Sequence, residues 1–146
     1  MSDAPSQNLK PILVTAAAIV HQDLVLIARR RLDSSSEPGK WEFPGGKVEF
    51  GEHPEACLVR EIKEELNLEI AVDKFFELVS YVDTPNGRHV ILLCYFCRLV
   101  RHESQGEMKL LEVADARWVS GHQLDEFDFA TADIPLVKAF KSLTNV

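Results

Sequence analysis

The chain has 146 residues, 46% of them hydrophobic and 27% charged, the balance of one globular domain large enough to bury a proper core. A net charge of −7 excludes a global field that attracts nucleic acid, so any polyanionic substrate must be held by local arginines, lysines and metal. No apolar run approaches the roughly 18–20 residues of a membrane span, which excludes a helical membrane protein.

The opening MSDAPSQNLK is polar and lacks the apolar stretch of a signal peptide. Residues 1–10 are expected to be a disordered or extended lead, and residues 11–146 a single domain working in the cytoplasm. The three cysteines agree with that compartment, because an odd count without a signal peptide points to reduced thiols. Cys94 and Cys97 have redox or zinc spacing, but they fall in an apolar strand pattern, where residues three apart face opposite ways. No second Cys/His pair stands at zinc spacing, so they are expected in or near the core.

Pro11 to Val20 is a small, β-branched, apolar run and reads as a buried strand. After the turn His21-Gln22-Asp23, Leu24 to Ala28 reads as its hairpin partner. Arg29-Arg30-Arg31 follows, with Arg30 pointing opposite to its neighbours if the strand persists. The run is either a solvated strand end or a phosphate clamp, since guanidinium forks match phosphate oxygens. Leu32 to Lys40 is a loop rich in Ser, Pro and Gly. It leads into Trp41-Glu42-Phe43 and Pro44-Gly45-Gly46-Lys47, where paired glycines let backbone approach a metal or phosphate closely.

His53-Pro54 suits a helix start. On the helical period Leu58, Val59, Ile62 and Leu66 form one stripe, and Glu61, Glu64 and Glu65 another. Like charges at such spacings weaken a helix by about 0.2–0.5 kcal/mol per pair, and a bound divalent cation offsets that repulsion. The alternative is a plain solvated acidic face. Phe75 to Thr84 reads as a strand, Pro85-Asn86-Gly87 as a hairpin turn, and Arg88 to Val100 as a long strand. Arg101 to Lys109 is loop-like, Ala116 to Val119 a last short strand, and Gly121 to Phe127 a turn or short helix. Ile134 to Leu143 has helical spacing.

The spacing Gly46, five residues, Glu52, seven residues, Arg60-Glu61-Ile62-Lys63-Glu64-Glu65-Leu66-Asn67-Leu68 resembles the Nudix box. Its one departure is Asn67 in place of the final glycine, a mild one because Asn is the second choice after Gly for a left-handed residue at a helix end. The resemblance covers essentially the whole domain and implies an α/β fold, the Nudix α/β/α sandwich with a mixed central sheet. WEFPGGK resembles the MutT-like branch, and bacterial CTP pyrophosphohydrolases look alike here.

The resemblance implies an enzyme that hydrolyses a nucleoside triphosphate, canonical, oxidised or methylated, to a nucleotide and pyrophosphate. It implies Mg²⁺, with Mn²⁺ as a substitute, held by Glu61, Glu64, Glu65 and the Gly45 carbonyl. Glu112, or Glu107 in the same stretch, stands where such enzymes place a further carboxylate. Arg60 would orient a glutamate, with Glu52 its supporting partner. Arg30, Gly46 and Lys47 would meet phosphate. Phe43 either packs on the base or belongs to the core, and Arg88 either faces the nucleotide or is a solvated turn residue. Asp133 stands where the branch reads the base; it also suits a helix cap, and the two roles are compatible. An ionised aspartate accepts hydrogen bonds only, which favours cytidine or guanine substrates. The implied partner is a small-molecule nucleotide, with no stable nucleic acid or membrane, in a monomer or homodimer. A nucleotide-sensing module without turnover and an RNA 5′-triphosphate pyrophosphohydrolase are the other readings. The intact carboxylates weigh against the first and the net charge against the second.

Overall fold

A computed structural model describes residues 10–101 and 108–144. Nine elements carry the fold: β1 (Ile12–His21), β2 (Leu24–Arg29), β3 (Trp41–Glu42), β4 (Gly45–Lys47), α1 (Pro54–Leu66), β5 (Ile70–Asp83), β6 (Arg88–Leu99), β7 (Asp115–Val119) and α2 (Ile134–Thr144). One path of the mixed sheet runs β3-β2-β1-β6-β5, with β4 paired to β1 and β7 to β2. β1 and β6 are parallel, and the other pairings are antiparallel.

The two-residue period of β1 splits the core. Ala16 and Ala18 face a cluster that includes Leu136, Val137 and Phe140 of α2. Ala17 and Ile19 face one that includes Leu58, Ile62 and Leu66 of α1. A helix therefore covers each face of the sheet, giving an α/β/α sandwich. Small side chains along β1 let both layers close on its middle. Full burial of each of Leu58, Ile62 and Leu66 contributes about 1.5–3 kcal/mol. Cys94 joins the α2 side and Cys97 the α1 side, as strand alternation requires, and Cys57, Cys94 and Cys97 are free and buried. Among the described residues no helix is long and apolar enough to cross a membrane.

Two local expectations change. Val59 is 39% exposed, and Cys57 takes its place on the buried arc of α1, because that arc turns toward β4 as well as the sheet. β5 begins at Ile70, five residues before the expected start. Register shifts at Val72/Lys74 and Phe75/Glu77 interrupt its alternation and hide the strand from a period-two reading. The expected hairpin turn does join β5 to antiparallel β6, as a 3₁₀ turn, Thr84–Asn86, closed by Gly87 at φ 61°.

α1 begins as expected. Pro54 takes the first turn, and the His53 ring accepts from the Glu55 N–H at 3.1 Å. It ends on Asn67 at φ 58°, ψ 33°, with the Asn67 N–H bonded to the Lys63 carbonyl. Asn67→Gly is expected to be neutral or slightly stabilising. Asn67→Val should lose about 1–2 kcal/mol, because a β-branched residue is strained in that conformation. Urea unfolding of both variants checks this; equal midpoints would show that the left-handed cap is not what ends the helix.

Candidate active site

Three elements meet at the start of α1. β4 is short and has glycine at two positions for a steric reason. A Cβ on Gly45 would stand 2.0 Å from the Thr15 carbonyl oxygen of β1, and one on Gly46 would stand 2.2 Å from the Glu61 carboxyl carbon. The backbone of β4 is thus pressed between β1 and the acidic face of α1.

Arg60 organises the carboxylates. Its Nε and Nη2 grip Glu52 at 2.7 and 2.9 Å, a fork-to-fork pair. Its Nη1 donates to Glu61 at 3.0 Å and to Glu64 at 3.1 Å, and Nη2 reaches the Lys47 carbonyl at 3.4 Å. The Arg60 bonds, helped by the Glu49 N–H, draw the Glu52 carboxyl down to about 2. The same bonds hold the Arg60 guanidinium firmly charged.

Glu65 behaves in the opposite way. Burial is the main cause that pushes its carboxyl up to about 9, and the neighbouring Glu42, Glu61 and Glu112 add to the rise. Its Oε1 is buried and has no hydrogen-bond partner. Burial raises Glu61 too, against the pull of Arg60. Glu112, itself exposed, is brought beside Glu65 by backbone: the Leu111 and Glu112 N–H groups donate to the Glu65 carbonyl at 3.0 and 3.4 Å. Glu107 lies outside the described residues.

Among the described residues no three His, Cys, Asp or Glu side chains already converge on one point as a metal cage. Arg60 draws Glu61 and Glu64 to itself instead. The chemistry still fits a hard divalent cation. An orphaned buried carboxylate oxygen among three further carboxylates is a costly arrangement unless positive charge joins it. Glu61, Glu64, Glu65, Glu112 and the Gly45 carbonyl are the oxygens available to such an ion.

Gly45 also lines a cleft of about 670 Å³, ample for a small-molecule ligand. Arg30, Phe43, Arg88 and Asp133 line it as well; Gly46 and Lys47 do not, and Lys47 is exposed. Arg30 is committed within the protein: its Nε bonds Glu42 at 2.8 Å and its Nη1 the Ser36 carbonyl at 2.9 Å. Arg31 is exposed and paired with Asp33. Arg88 donates to the Ser36 hydroxyl at 3.0 Å. Phe43 is buried, tilted against Phe129 and Phe140, so its core and pocket placements hold together. Its N–H donates to Asp133 at 2.9 Å, and Asp133 is buried. The bond Asp133 accepts therefore comes from another segment, not from the first turn of α2.

Several cleft residues carry no sequence signal of their own. Glu42 sits in a two-residue strand, too short for a pattern. The segment from Leu32 to Lys40 is a strap over the cleft. Glu37, at φ 45°, accepts from the Thr131 N–H and hydroxyl at 3.0 and 2.8 Å, while Ser36 is held by Arg30 and Arg88. Only its SSSEPG composition hints at more than a plain loop.

Residues 11–140 match the family model described as the NUDIX domain. The chain belongs to the Nudix family. It is 34% identical to the CTP pyrophosphohydrolase of Escherichia coli K12 over 92% of its length and 95% of that protein's. It is 32% identical to the 8-oxo-dGTP diphosphatase of the same organism, over 92% of this chain and all of that one. The MutT Nudix hydrolase from Burkholderia pseudomallei superposes with a TM-score of 0.75 at 27% identity, covering 89% of this chain and 98% of the other. The chain is a MutT-like Nudix hydrolase, an enzyme acting on phosphoric anhydride bonds, and its sandwich is the Nudix sandwich.

Proposed function

We propose that this Nudix hydrolase cleaves nucleoside triphosphates to a nucleoside monophosphate and pyrophosphate, using Mg²⁺ or Mn²⁺, with cytidine or guanine nucleotides preferred. The reading includes oxidised and methylated forms and a role in turnover or sanitation of the cytoplasmic nucleotide pool. The observation that carries it is the buried, unpartnered Glu65 oxygen within a carboxylate cluster, set beside a cleft that contains Arg88 and Asp133. The CTP and 8-oxo-dGTP named for the two relatives supply the substrate class.

In this reading Glu61, Glu64, Glu65, Glu112 and the Gly45 carbonyl hold the cation. When bound, it neutralises phosphate charge and polarises the scissile bond for attack by water. The residues of the chain do the positioning. Arg60 spans Glu52, Glu61 and Glu64 and fixes the spread of the carboxylates before any ligand arrives. Gly46 lets Glu61 approach the backbone. Arg88, held by Ser36, presents a guanidinium in the cleft; Arg30, neutralised by Glu42, shapes that wall and supports the strap. Phe43 closes the floor, and Asp133 addresses the base. Lys47, exposed at the end of β4, would meet the outer part of a polyphosphate.

The test is a panel of the canonical nucleoside triphosphates with 8-oxo-dGTP and a methylated cytidine triphosphate, scored for pyrophosphate release with Mg²⁺, Mn²⁺ or EDTA. Release of pyrophosphate with either metal and none in EDTA is expected. Full turnover in EDTA, or orthophosphate as the product, overturns the proposal.

A further inference from the structure

Two buried polar side chains lie under β4 and have no place in the roles assigned so far. The Thr15 hydroxyl of β1 donates to the Gly46 carbonyl at 3.1 Å. The Cys57 thiol of α1 lies 3.5 Å from that hydroxyl, 3.3 Å from the Lys47 carbonyl and 3.8 Å from the Gly46 carbonyl. Arg60 Nη2 donates to the same sulfur at 3.7 Å. Thr15 and Cys57 are both buried. Together they join β1, β4 and α1 at the point where the three elements meet.

β4 needs such fastening. It is three residues long and has three register partners on β1, Val14, Thr15 and Ala16. Gly45 rests on the Thr15 backbone and Gly46 on Glu61, with no room for a methyl group at either contact. A small displacement of β4 therefore moves the Gly45 carbonyl relative to α1 and pushes Gly46 into Glu61 or away from it. The Thr15 hydroxyl and the Cys57 thiol hold the two carbonyls that follow that contact, those of Gly46 and Lys47. Apolar residues of the same size would fill the space without holding the carbonyls.

We propose that Thr15 and Cys57 form a positioning clamp that fixes β4 against Glu61, and with it the Gly45 carbonyl, and thereby sets the affinity of the site for its divalent cation. The clamp rests on the metal-dependent reading given under Proposed function. Supporting groups that orient the ligands of a metal typically change its affinity about 10–100-fold when removed. Sulfur contacts are weak as bonds, so the main effect is on geometry and not on overall stability.

Mn²⁺ binding is measured by the loss of the free-ion electron paramagnetic resonance signal, in protein without nucleotide. Cys57→Ala and Thr15→Val are expected to weaken Mn²⁺ about tenfold or more, and Cys57→Ser and Thr15→Ser to stay within about threefold of the parent. The double variant Thr15→Val/Cys57→Ala should be about as weak as the worse single one, since both act on one backbone segment. Melting temperatures are taken alongside. Unchanged Mn²⁺ affinity in Cys57→Ala overturns the clamp, as does a weakening that follows the melting temperature and is equal in the serine variants. If Thr15→Val does not fold, the comparison of Cys57→Ala with Cys57→Ser decides alone. A parent that binds no Mn²⁺ overturns the clamp and the metal reading together. A parent that binds Mn²⁺ but hydrolyses no nucleoside triphosphate overturns only the proposed function, and the clamp is then judged on the Mn²⁺ affinities.

Discussion

Glu65→Gln is expected to lower kcat on the order of a thousandfold, while the metal-free protein becomes at least as stable as the parent above neutral pH. The substitution keeps the shape of the side chain and removes its charge. In the metal-free protein that charge is a burden, since it is buried, one of its oxygens has no partner, and Glu42, Glu61 and Glu112 surround it. The sign of the pH effect follows from the raised pKa. The folded state holds a proton on Glu65 up to about 9, whereas the unfolded chain releases it near the ordinary glutamate value. Metal-free stability is therefore fully present below the unfolded value and falls as pH rises toward about 9. Glu65→Gln should flatten that fall. The measurements are Mg²⁺-dependent turnover at saturating substrate and urea unfolding in EDTA across the pH range. Near-normal turnover in the folded variant would remove Glu65 from the metal site. An unchanged pH slope would show that its carboxyl is not the buried group that titrates.

Covalent spacing makes part of the candidate site legible. Glu61, Glu64 and Glu65 lie on one helix, so helical geometry puts them on one face without reference to the rest of the fold, while the grip of Arg60 on Glu61 and Glu64 is set by packing. Asn67 was legible for the same reason, because one local conformation decides its role. The cleft was not. Asp133 meets the Phe43 N–H from 90 residues away, and Glu37 meets Thr131 from 94 residues away, contacts that no local period encodes. Arg30 shows the limit from the other side. Its residue type suggests phosphate, yet Glu42 and the Ser36 carbonyl occupy its guanidinium. Val59 and the start of β5 fail for reasons of packing: the buried arc of α1 turns toward β4, taking in Cys57 and leaving Val59 out, and bulges break a strand's alternation. The ends of α1 fell where the sequence put them because capping is decided by the residues that cap.

The preference for cytidine over uridine substrates is expected to grow as pH rises, and Asp133 is the group that makes it do so. Burial raises the Asp133 carboxyl well above the ordinary aspartate range; the nearby Glu42 adds to this, while the Phe43 N–H and Arg30 pull the other way. A carboxyl kept neutral by its surroundings donates as well as accepts, and so behaves toward a base much as an asparagine does. The acceptor-only expectation from the sequence thus applies to the ionised form alone. Cytosine offers an exocyclic amino group to an acceptor, whereas uracil presents a carbonyl at that position, which a neutral carboxyl can satisfy and an ionised one repels. Leaving a buried polar group unpaired costs about 1–3 kcal/mol, so the CTP-to-UTP ratio of kcat/KM should climb about ten- to a hundredfold between the two forms. Asp133→Asn should hold the ratio constant with pH, and Asp133→Ala should flatten it more than it slows the poorer substrate. Taking the ratio cancels the titration of the carboxylates at the metal site, which acts on both substrates alike. The measurement is kcat/KM for CTP and UTP across the whole pH range in which the three proteins stay folded. If the parent ratio does not move with pH, or if Asp133→Asn moves in parallel with it, then Asp133 serves to hold the Phe43 backbone and the base is read elsewhere in the cleft.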